Sequence, residues 1–236
     1  MTSSSSAQYV SAGRGKYPLK GPRMAGSVAL VSTTRGDRRS SSMTALLDAT
    51  AEILSEATRI EASLSEISKR SGVNSAMVKY YFGDKEGLFL ALLDRDAEAA
   101  MRALSELVAM DMPAARKLQI HIQGIINSYQ RSPYLNRLIH YVSESANPEI
   151  SARIARAFIR PMMEAYRSII AQGVAEGTLQ DVDPGLLYYA LVGAADHMFF
   201  ASYSVQTTLG VREITPAIKQ RFIDLMSTVF LKGLTP

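Results

Sequence analysis

The chain has 236 residues, of which 47% are apolar, 20% are charged and none is cysteine, which is enough for one large globular domain or two small ones. The lack of cysteine excludes disulfides, thiolate nucleophiles and Cys-ligated metals, and three scattered histidines (His121, His140 and His197) do not indicate a metal site, so we expect neither a metal nor another cofactor. No apolar run reaches the roughly 20 residues of a membrane-spanning helix, and the N-terminus has no apolar secretory core, so we expect a soluble, cytoplasmic protein with no membrane partner.

The first 42 residues differ from the rest in charge and composition. They carry seven Lys or Arg side chains and one acid, a net charge of +6, whereas the remaining 194 residues have a net charge of −2. They also contain ten Ser and five Gly with little apolar periodicity, a composition that favours disorder. We interpret residues 1–42 as a disordered basic arm, which either contacts a polyanion or is a solvated leader without a partner.

Helical spacing of apolar residues begins at Met43 and predicts a first helix. The residues that repeat at intervals of three and four are Leu46, Leu47, Ala49, Thr50, Ile53 and Leu54. Ser63 and Glu66 then have the spacing of a capping box, in which each side chain binds a backbone N–H group. This pattern predicts a second helix over residues 64–71.

Turn and cap residues mark the next two helices. Gly72-Val73-Asn74 predicts a short turn, after which Asn74 can cap a third helix over residues 75–82. Asp84 is placed to cap a fourth helix over residues 85–109. At 1.5 Å per residue this helix is roughly 37 Å long, so it can connect distant parts of the molecule.

Prolines at first helical positions predict five more helices. They run from Pro113 to about Arg131, briefly from Pro133, from Asn147-Pro148 to about Glu176-Gly177, from Asp183-Pro184 to before Gly210, and from Thr215-Pro216 to Gly233. No stretch alternates with the period of two that a strand requires. The sequence therefore predicts an all-α protein.

The second and third helices, with a glycine in the turn between them, have the spacing of a helix-turn-helix. The third helix would present Ser75, Ala76, Lys79 and Tyr80 on its outer face. Eight apolar residues can form a small core beneath it: Leu64, Ile67, Val73, Val78, Phe82, Leu88, Phe89 and Leu92.

Residues 44–93 resemble the TetR-type bacterial transcriptional regulators. An I-x-x-x-x-G-V stretch, an aromatic pair ending in Phe and F-x-x-K-E-x-L are carried here by Ile67, Gly72, Val73, Tyr81, Phe82, Lys85, Glu86 and Leu88. The resemblance implies an N-terminal three-helix DNA-binding domain over residues 43–93. It also implies a larger helical effector-binding and dimerisation domain over residues 94–236, with about nine helices in all.

The resemblance implies that the third helix enters the major groove of double-stranded operator DNA. Lys79 can donate to guanine or phosphate, and the short Ser75 and Ala76 let the backbone approach the bases. The implied DNA contacts are Ser63, Ser75, Ala76, Lys79, Tyr80, Tyr81 and Lys85. Because residues 44–93 carry a net charge of −2, we expect a dimer and the basic arm to add phosphate contacts.

The resemblance also places an effector cavity among the fourth to eighth helices. Seven side chains on the fifth and seventh helices are candidates to line it: His121, Ile125, Tyr129, Phe158, Met162, Met163 and Tyr166. Pro161 removes a backbone hydrogen bond and can open space beside the two methionines. Aromatic and Met walls favour a small apolar or aromatic ligand; the alternative is that these residues form an ordinary core.

The last two predicted helices carry apolar stripes that the resemblance assigns to a homodimer interface. The candidate residues are Leu191, Ala194, Ala195, Met198, Phe222, Leu225, Met226 and Val229. A two-fold partner suits a protein that reads DNA half-sites. The alternative is that both stripes belong to the core of one subunit.

These patterns predict a homodimeric repressor that a small apolar effector releases from its operator. The alternative is a non-catalytic helical binding protein whose helix-turn-helix contacts another protein. An enzyme is not predicted, because GxSxG, P-loop and HExxH motifs are absent. The pairs His140-Tyr141 and Asp196-His197 are weak candidates, since adjacent helical residues point about 100° apart.

Overall fold

The structure, a computed structural model, describes residues 35–144 and 147–236, with the backbone alone at residues 35–38, 202 and 203. All regular structure in these residues is helical, which confirms the predicted fold class. The ten helices are α1 (Arg35–Glu56), α2 (Leu64–Ser71), α3 (Ala76–Phe82), α4 (Lys85–Ala109), α5 (Ala114–Arg131), α6 (Leu135–Ser143), α7 (Pro148–Ile154, a π-helical turn over Ala155–Ile159, and Arg160–Ala175), α8 (Pro184–Phe200), α9 (Ser202–Leu209) and α10 (Pro216–Gly233). No helix in the described residues is long and apolar enough to cross a membrane.

Two buried apolar clusters hold the helices together. The N-terminal core joins α1–α3 and the start of α4 to α6 and the start of α7. The C-terminal core joins the end of α4 to α5, α7, α8 and α10. Helix α4 belongs to both cores, and α6 packs in the N-terminal core, so the predicted boundary at residues 93 and 94 does not coincide with a division between the two cores.

Helix α1 begins at Arg35, eight residues before the predicted start at Met43. Residues 35–42 are therefore helical, which corrects this part of the predicted disordered arm; residues 1–34 lie outside the described residues. The glycine and three serines of this segment disfavour a helix by propensity alone. A tertiary contact accompanies the extra turns, because the Arg39 guanidinium lies 5.8 and 5.9 Å from the ring centres of Tyr80 and Tyr81.

Side-chain caps start most helices where the sequence predicts. Asn74, Asp84, Asn147, Asp183 and Thr215 each accept hydrogen bonds from backbone N–H groups of the following helix. The predicted capping box at α2 is only half formed. The Ser63 oxygen accepts from the Glu66 N–H at 3.1 Å, but the Glu66 carboxylate has no return bond among the described residues.

The core beneath the helix-turn-helix largely agrees with the prediction. Ile67, Val78, Leu88, Phe89 and Leu92 are buried, whereas Val73 and Phe82 are half-buried. The prediction that Leu64 belongs to this core is wrong, because 38% of the residue is exposed. Leu64 is the first residue of α2, so it lies at the N-terminal end of the helix, next to the exposed cap residue Ser63.

Two glycines are required by the geometry of this segment. Gly72 ends α2 with φ +68°, a left-handed conformation that other residues adopt only with strain. A Cβ on Gly87 would lie 2.0 Å from the carbonyl oxygen of Phe82. The start of α4 can therefore pack against the end of α3 only because residue 87 has no side chain.

Helix α7 contains a π-helical turn just before Pro161. The Arg160 N–H bonds to the Ala155 carbonyl, one residue further back than in an α-helix. Pro161 has no N–H to continue the α pattern, so the widened turn accommodates the proline without ending the helix. The expected irregularity at Pro161 is thus a π turn that contains Phe158.

The helix predicted from Pro184 to before Gly210 is divided into α8 and α9 at Ala201. Ala201 has φ −80° and ψ 42°, outside the helical region. Its carbonyl accepts from the Ser204 N–H and from the Ser204 hydroxyl, both at 2.8 Å. Neither proline nor glycine marks this break, so the sequence pattern could not reveal it.

Candidate functional site

Helix α3 presents a continuous outer face. Ala76, Lys79 and Tyr80 are exposed at positions i, i+3 and i+4, and Tyr80 is 65% exposed. On the opposite side, Val78 is fully buried in the N-terminal core. A helix with this division of faces can enter a DNA major groove without disturbing the core.

The other predicted DNA contacts surround this face. Ser63 and Lys85 are exposed, whereas Ser75 and Tyr81 are half-buried. Ser63 already caps α2. Lys85 begins α4, with its ammonium nitrogen 5.8 Å from the centre of the Phe89 ring.

Arginines neutralise several acids of α1. Arg70 binds Glu56 at 2.7 Å and lies 3.6 Å from Glu52, and Arg95 binds Asp48 at 2.7 Å. The Arg70 contact also lowers the pKa of Glu56. Within the described part of the chain, Lys79 and Lys85 form no ion pair, so both ammonium groups are available to phosphates.

A cavity of about 480 Å³ lies between α4, α5, α6 and α7, with one contact from α8. This volume is in the range of small-molecule sites. Its lining includes five of the seven predicted effector residues, namely His121, Ile125, Tyr129, Phe158 and Met162. Phe158 reaches the wall from the π turn, which explains how an irregular helix contributes to the site.

Met163 and Tyr166 do not line this cavity. Met163 is half-buried against the C-terminal core. Tyr166 is buried behind His121, with its hydroxyl oxygen 3.0 Å from the His121 Nε2 atom. The assignment of these two residues to the cavity wall is therefore wrong, although Tyr166 supports a residue that belongs to it.

The sequence predicts a cavity beside α4 but indicates no residue of α4 that lines it. Helix α4 contributes small and apolar side chains: Ala100, Met101, Ala103, Leu104, Leu107 and Met110. Ala100 and Ala103 of α4 and Gly124 of α5 all line the cavity, and these small residues leave room between the two helices. The apolar spacing of α4 indicates that these residues face inward. It cannot show that they line a cavity, because a long connecting helix has apolar faces for several packing partners.

Charge is confined to exposed members of the lining. Glu106 and Arg131 are exposed, whereas His121 is buried. Burial lowers the pKa of His121 to about 4, so its imidazole is neutral at physiological pH. The inner part of the cavity is therefore apolar, with uncharged polar groups.

Asp196 connects three helices around the cavity. Its carboxylate accepts a hydrogen bond from the Tyr129 hydroxyl of α5 and lies 3.2 Å from the His140 Nε2 atom of α6. Tyr129 also stacks on Phe199, with 4.9 Å between ring centres. The sequence suggested Asp196 beside His197; the structure pairs it instead with His140, 56 positions away.

The predicted dimer residues occupy different environments. Leu191, Ala195 and Met226 are buried in the C-terminal core of the subunit itself, so their assignment to an interface is wrong. Ala194, Met198 and Phe222 are half-buried, and Leu225 and Val229 are 57% and 56% exposed.

A different stripe of α8 faces outward. It consists of Leu186, Tyr189, Ala190, Gly193, His197 and Phe200, all exposed. Leu186 and Tyr189 are each 72% exposed. Helix α8 is apolar on nearly every side, so its sequence fits the burial of either of two faces equally well. Only packing in the folded chain selects the face that is buried.

Among the described residues, no group of three or more His, Asp or Glu side chains could hold a metal ion. The expectation that the protein needs no cofactor stays a prediction.

Comparison with known proteins identifies both parts of the chain. The family model for bacterial regulatory proteins of the tetR family matches residues 46–92. The model for the tetracyclin repressor-like C-terminal domain matches residues 111–236, more than half of the chain.

Individual relatives agree with these matches. The HTH-type transcriptional regulator BetI of Escherichia coli is 34% identical over 90 residues, which are 37% of this chain and 46% of BetI. The matched region thus spans about half the length of the curated relatives. The fatty acid degradation regulator FadR from Bacillus halodurans has a TM-score of 0.62 at 17% identity, covering 81% of this chain and 98% of FadR.

A second solved structure shows the same fold. FadR from Bacillus subtilis, determined in complex with stearoyl-CoA, has a TM-score of 0.58 at 15% identity and covers 83% of this chain and 98% of its own. At such identities the likeness concerns the fold alone. The two family matches, which cover the helix-turn-helix and the C-terminal helices, show that this chain belongs to the tetR family of bacterial transcriptional regulators.

Proposed function

We propose that the protein is a homodimeric repressor that binds double-stranded operator DNA through α3 and is released by a small apolar or aromatic effector in the cavity. The observation that carries this proposal is the arrangement around α4. Its first turn packs against the reading helix, and its last turns line the cavity. One rigid helix therefore contacts both sites.

The DNA contacts are proposed on the exposed face of α3 and its surroundings. Ala76, Lys79 and Tyr80 would meet base edges. The remaining candidates would meet the DNA backbone: Ser63, Ser75, Tyr81 and Lys85. Arg39, which lies over Tyr80 and Tyr81, would add positive charge beside the reading helix.

The test is selection of duplexes from a random pool, followed by fluorescence anisotropy over a salt series. We expect one enriched sequence with two related half-sites, and an affinity that falls linearly on a log–log salt plot. If no duplex is enriched and the chain instead binds protein with little salt dependence, the helix-turn-helix serves protein contact and the proposal is wrong.

Residues 1–34 carry four further basic side chains and no acid. We propose that they bind phosphates, and a chain that begins at residue 35 tests this while it keeps all of α1. The salt slope should decrease by about 0.9 for each phosphate that the shortened chain no longer neutralises. An unchanged slope would mean that this segment is a leader without a role in DNA binding.

Dimerisation is proposed through the outward faces of α8 and α10. The inner side of α8 is buried in the C-terminal core, yet its outer side is also apolar and exposed. Exposed apolar stripes of this kind mark protein interfaces. A second copy of the chain is the proposed partner, because reading two half-sites requires two-fold symmetry.

Release by an effector is proposed because the cavity is apolar, of ligand size and bounded by the π turn. The Bacillus subtilis relative with the same fold was solved with stearoyl-CoA, whose long hydrocarbon chain supports a ligand with an apolar part here. Effector binding must favour an arrangement that binds DNA less well, with a coupling of about 1 to 3 kcal/mol being typical.

Met162→Trp tests release, since a larger side chain at the wall should fill the cavity. Apolar compounds that release wild-type protein from a fluorescent operator should no longer do so with this variant, although its operator affinity is retained. Met163→Trp is the matched control, because Met163 does not line the cavity. A normal response of Met162→Trp would refute release through this cavity.

A further inference from the structure

One polar group inside the cavity has an unused hydrogen-bonding atom. His121 is only 8% exposed and lines the cavity wall. Its Nε2 atom lies 3.0 Å from the Tyr166 hydroxyl. No described residue bonds to the other ring nitrogen, Nδ1, so this atom remains for a molecule in the cavity.

The buried Tyr166 hydroxyl determines which nitrogen carries the proton. Tyr166 is 1% exposed, and His121 is its one hydrogen-bond partner in the described part of the chain. A buried hydroxyl proton without an acceptor is costly, so Tyr166 donates to Nε2. The neutral imidazole then has its proton on Nδ1, which becomes a donor towards the cavity.

Other polar groups of the lining are engaged or lie nearer the surface. The Ser128 hydroxyl donates to the Ile125 carbonyl at 2.7 Å, and the Tyr129 hydroxyl donates to Asp196. Asn136, on the first turn of α6, is half-buried, whereas His121 is buried.

No buried charge faces His121 from the lining. Glu106 and Arg131 are the charged members, and both are exposed. Lys117, one turn before His121, is buried but donates to the Val108 carbonyl at 2.6 Å and to Gln172 at 2.8 Å, and it does not line the cavity. A charged ligand group at His121 would therefore lose its water without gaining an opposite charge.

We propose that the cavity selects an apolar ligand with one uncharged hydrogen-bond acceptor, such as a ketone or ester carbonyl, which accepts from Nδ1 of His121. This ligand class rests on the proposed role of the cavity as the effector site. A neutral histidine suits such a group, since burial lowers its pKa to about 4.

Four probes with chains of ten carbons compare the end groups directly: 2-decanone, 1-decanol, decanoate and decylamine. Binding to the full chain is measured by calorimetry at pH 7.5 without DNA. We expect 2-decanone to bind at least tenfold more tightly than decanoate and decylamine, and more tightly than 1-decanol. Decanoate or decylamine binding as tightly as 2-decanone, or no saturable binding of 2-decanone, would overturn the proposal.

Two substitutions test the assigned atoms. His121→Phe keeps a ring of similar size but removes Nδ1, and we expect about fivefold to tenfold weaker binding of 2-decanone, with butylbenzene, which has no acceptor, unchanged. Tyr166→Phe removes the hydroxyl that fixes the His121 proton on Nδ1, so either ring nitrogen can carry it. The preference for 2-decanone over 1-decanol should therefore shrink. Tyr141→Phe, at an exposed position outside the cavity lining, is the control and should leave the binding of 2-decanone unaltered.

Unchanged binding of 2-decanone to a cooperatively melting His121→Phe would refute the assignment. If that variant does not fold, the wild-type probe series and Tyr166→Phe decide the question. Operator affinity is measured separately. A probe that binds as expected but leaves the operator complex intact would refute release by effector and not the ligand class.

Discussion

Side chains of α3 either pack in the core or lie on the exposed face that is proposed to bind DNA. Lys79 is exposed and unpaired among the described residues, whereas its neighbour Val78 is fully buried. The two positions are one residue apart, so a substitution at Lys79 can change DNA binding with little effect on folding.

Lys79→Ala should weaken operator binding by about 1 to 3 kcal/mol if the ammonium contacts a base. The thermal midpoint should hardly change, because the side chain supports no other contact. Anisotropy titrations against the selected operator provide the measurement. Lys232→Ala, at an exposed position near the end of α10, is the matched control; equal affinities of both variants would show that α3 does not read DNA through Lys79.

His121 makes folding stability depend on pH. The ordinary pKa of 6.5 applies in the unfolded chain, and burial lowers it to about 4 in the folded one. Between these values the unfolded state binds more protons, so this contribution to stability is complete above pH 6.5 and decreases as the pH falls towards 4.

His121→Phe lacks this titration. As the pH falls from about 7 to about 4.5, wild type should therefore lose up to about 3 kcal/mol more unfolding free energy than the variant. Urea denaturation at several pH values measures it, and other titrating groups cancel in the difference. A difference that is constant with pH would mean that His121 is not buried in the neutral form.

At the scale of elements, α6 holds the end of α1. The Arg137 guanidinium donates to the Ala57 carbonyl at 2.6 Å, to the Leu54 carbonyl at 2.8 Å and to the Pro133 carbonyl at 3.1 Å. The last carbonyls of a helix have no partner within the helix, so one side chain of α6 satisfies the end of α1. Leu135 and Asn136 of the same helix line the cavity.

Arg137→Ala should lower the unfolding free energy by about 1.5 to 3 kcal/mol, the range for hydrogen bonds to a charged group. Amide hydrogen exchange in the last turn of α1 should accelerate, because its carbonyls no longer have their donors. Arg116→Ala is the control, since Arg116 is exposed and its side chain bonds, within the described residues, only to Gln119 on its own helix. If both variants lose the same stability, Arg137 does not fasten α1.

Helix boundaries were predictable where a local side chain defines them. Asp84 and Thr215 cap their helices as the sequence indicates, and α4 and α10 have the predicted bounds. The extra turns of α1 are accompanied by the contact of Arg39 with two tyrosines of α3. The break at Ala201 has local hydrogen bonds but no proline or glycine. Such features do not appear in residue spacing.

The candidate sites show the same division. The exposed face of α3 follows from a motif that combines spacing with residue type. In the cavity, helical spacing found five lining residues, but it could not show that Tyr166 lies behind His121 or that Asp196 meets His140. Those contacts join segments 45 and 56 positions apart, and no local pattern encodes them.

At the scale of the whole molecule, the outward faces of α8 and α10 decide the proposed assembly. Tyr189→Glu combined with Leu225→Glu places charges on both faces, at side chains that are 72% and 57% exposed. We expect a folded monomer by light scattering and a large loss of operator affinity. Leu209→Glu, on α9 and 45% exposed, should remain dimeric; an unchanged dimer in the double variant would place the interface elsewhere.

The reading face of α3 and the proposed interface on α8 and α10 share no residue and no helix. A subunit that carries Lys79→Ala keeps an intact interface, so in a cell with both alleles it would join normal subunits in mixed dimers with one effective reading helix. Such an allele should be dominant over the wild type. An allele with the charged α8 and α10 faces cannot form these mixed dimers and should be recessive. The inheritance pattern of loss-of-repression alleles would therefore map the two surfaces in living cells.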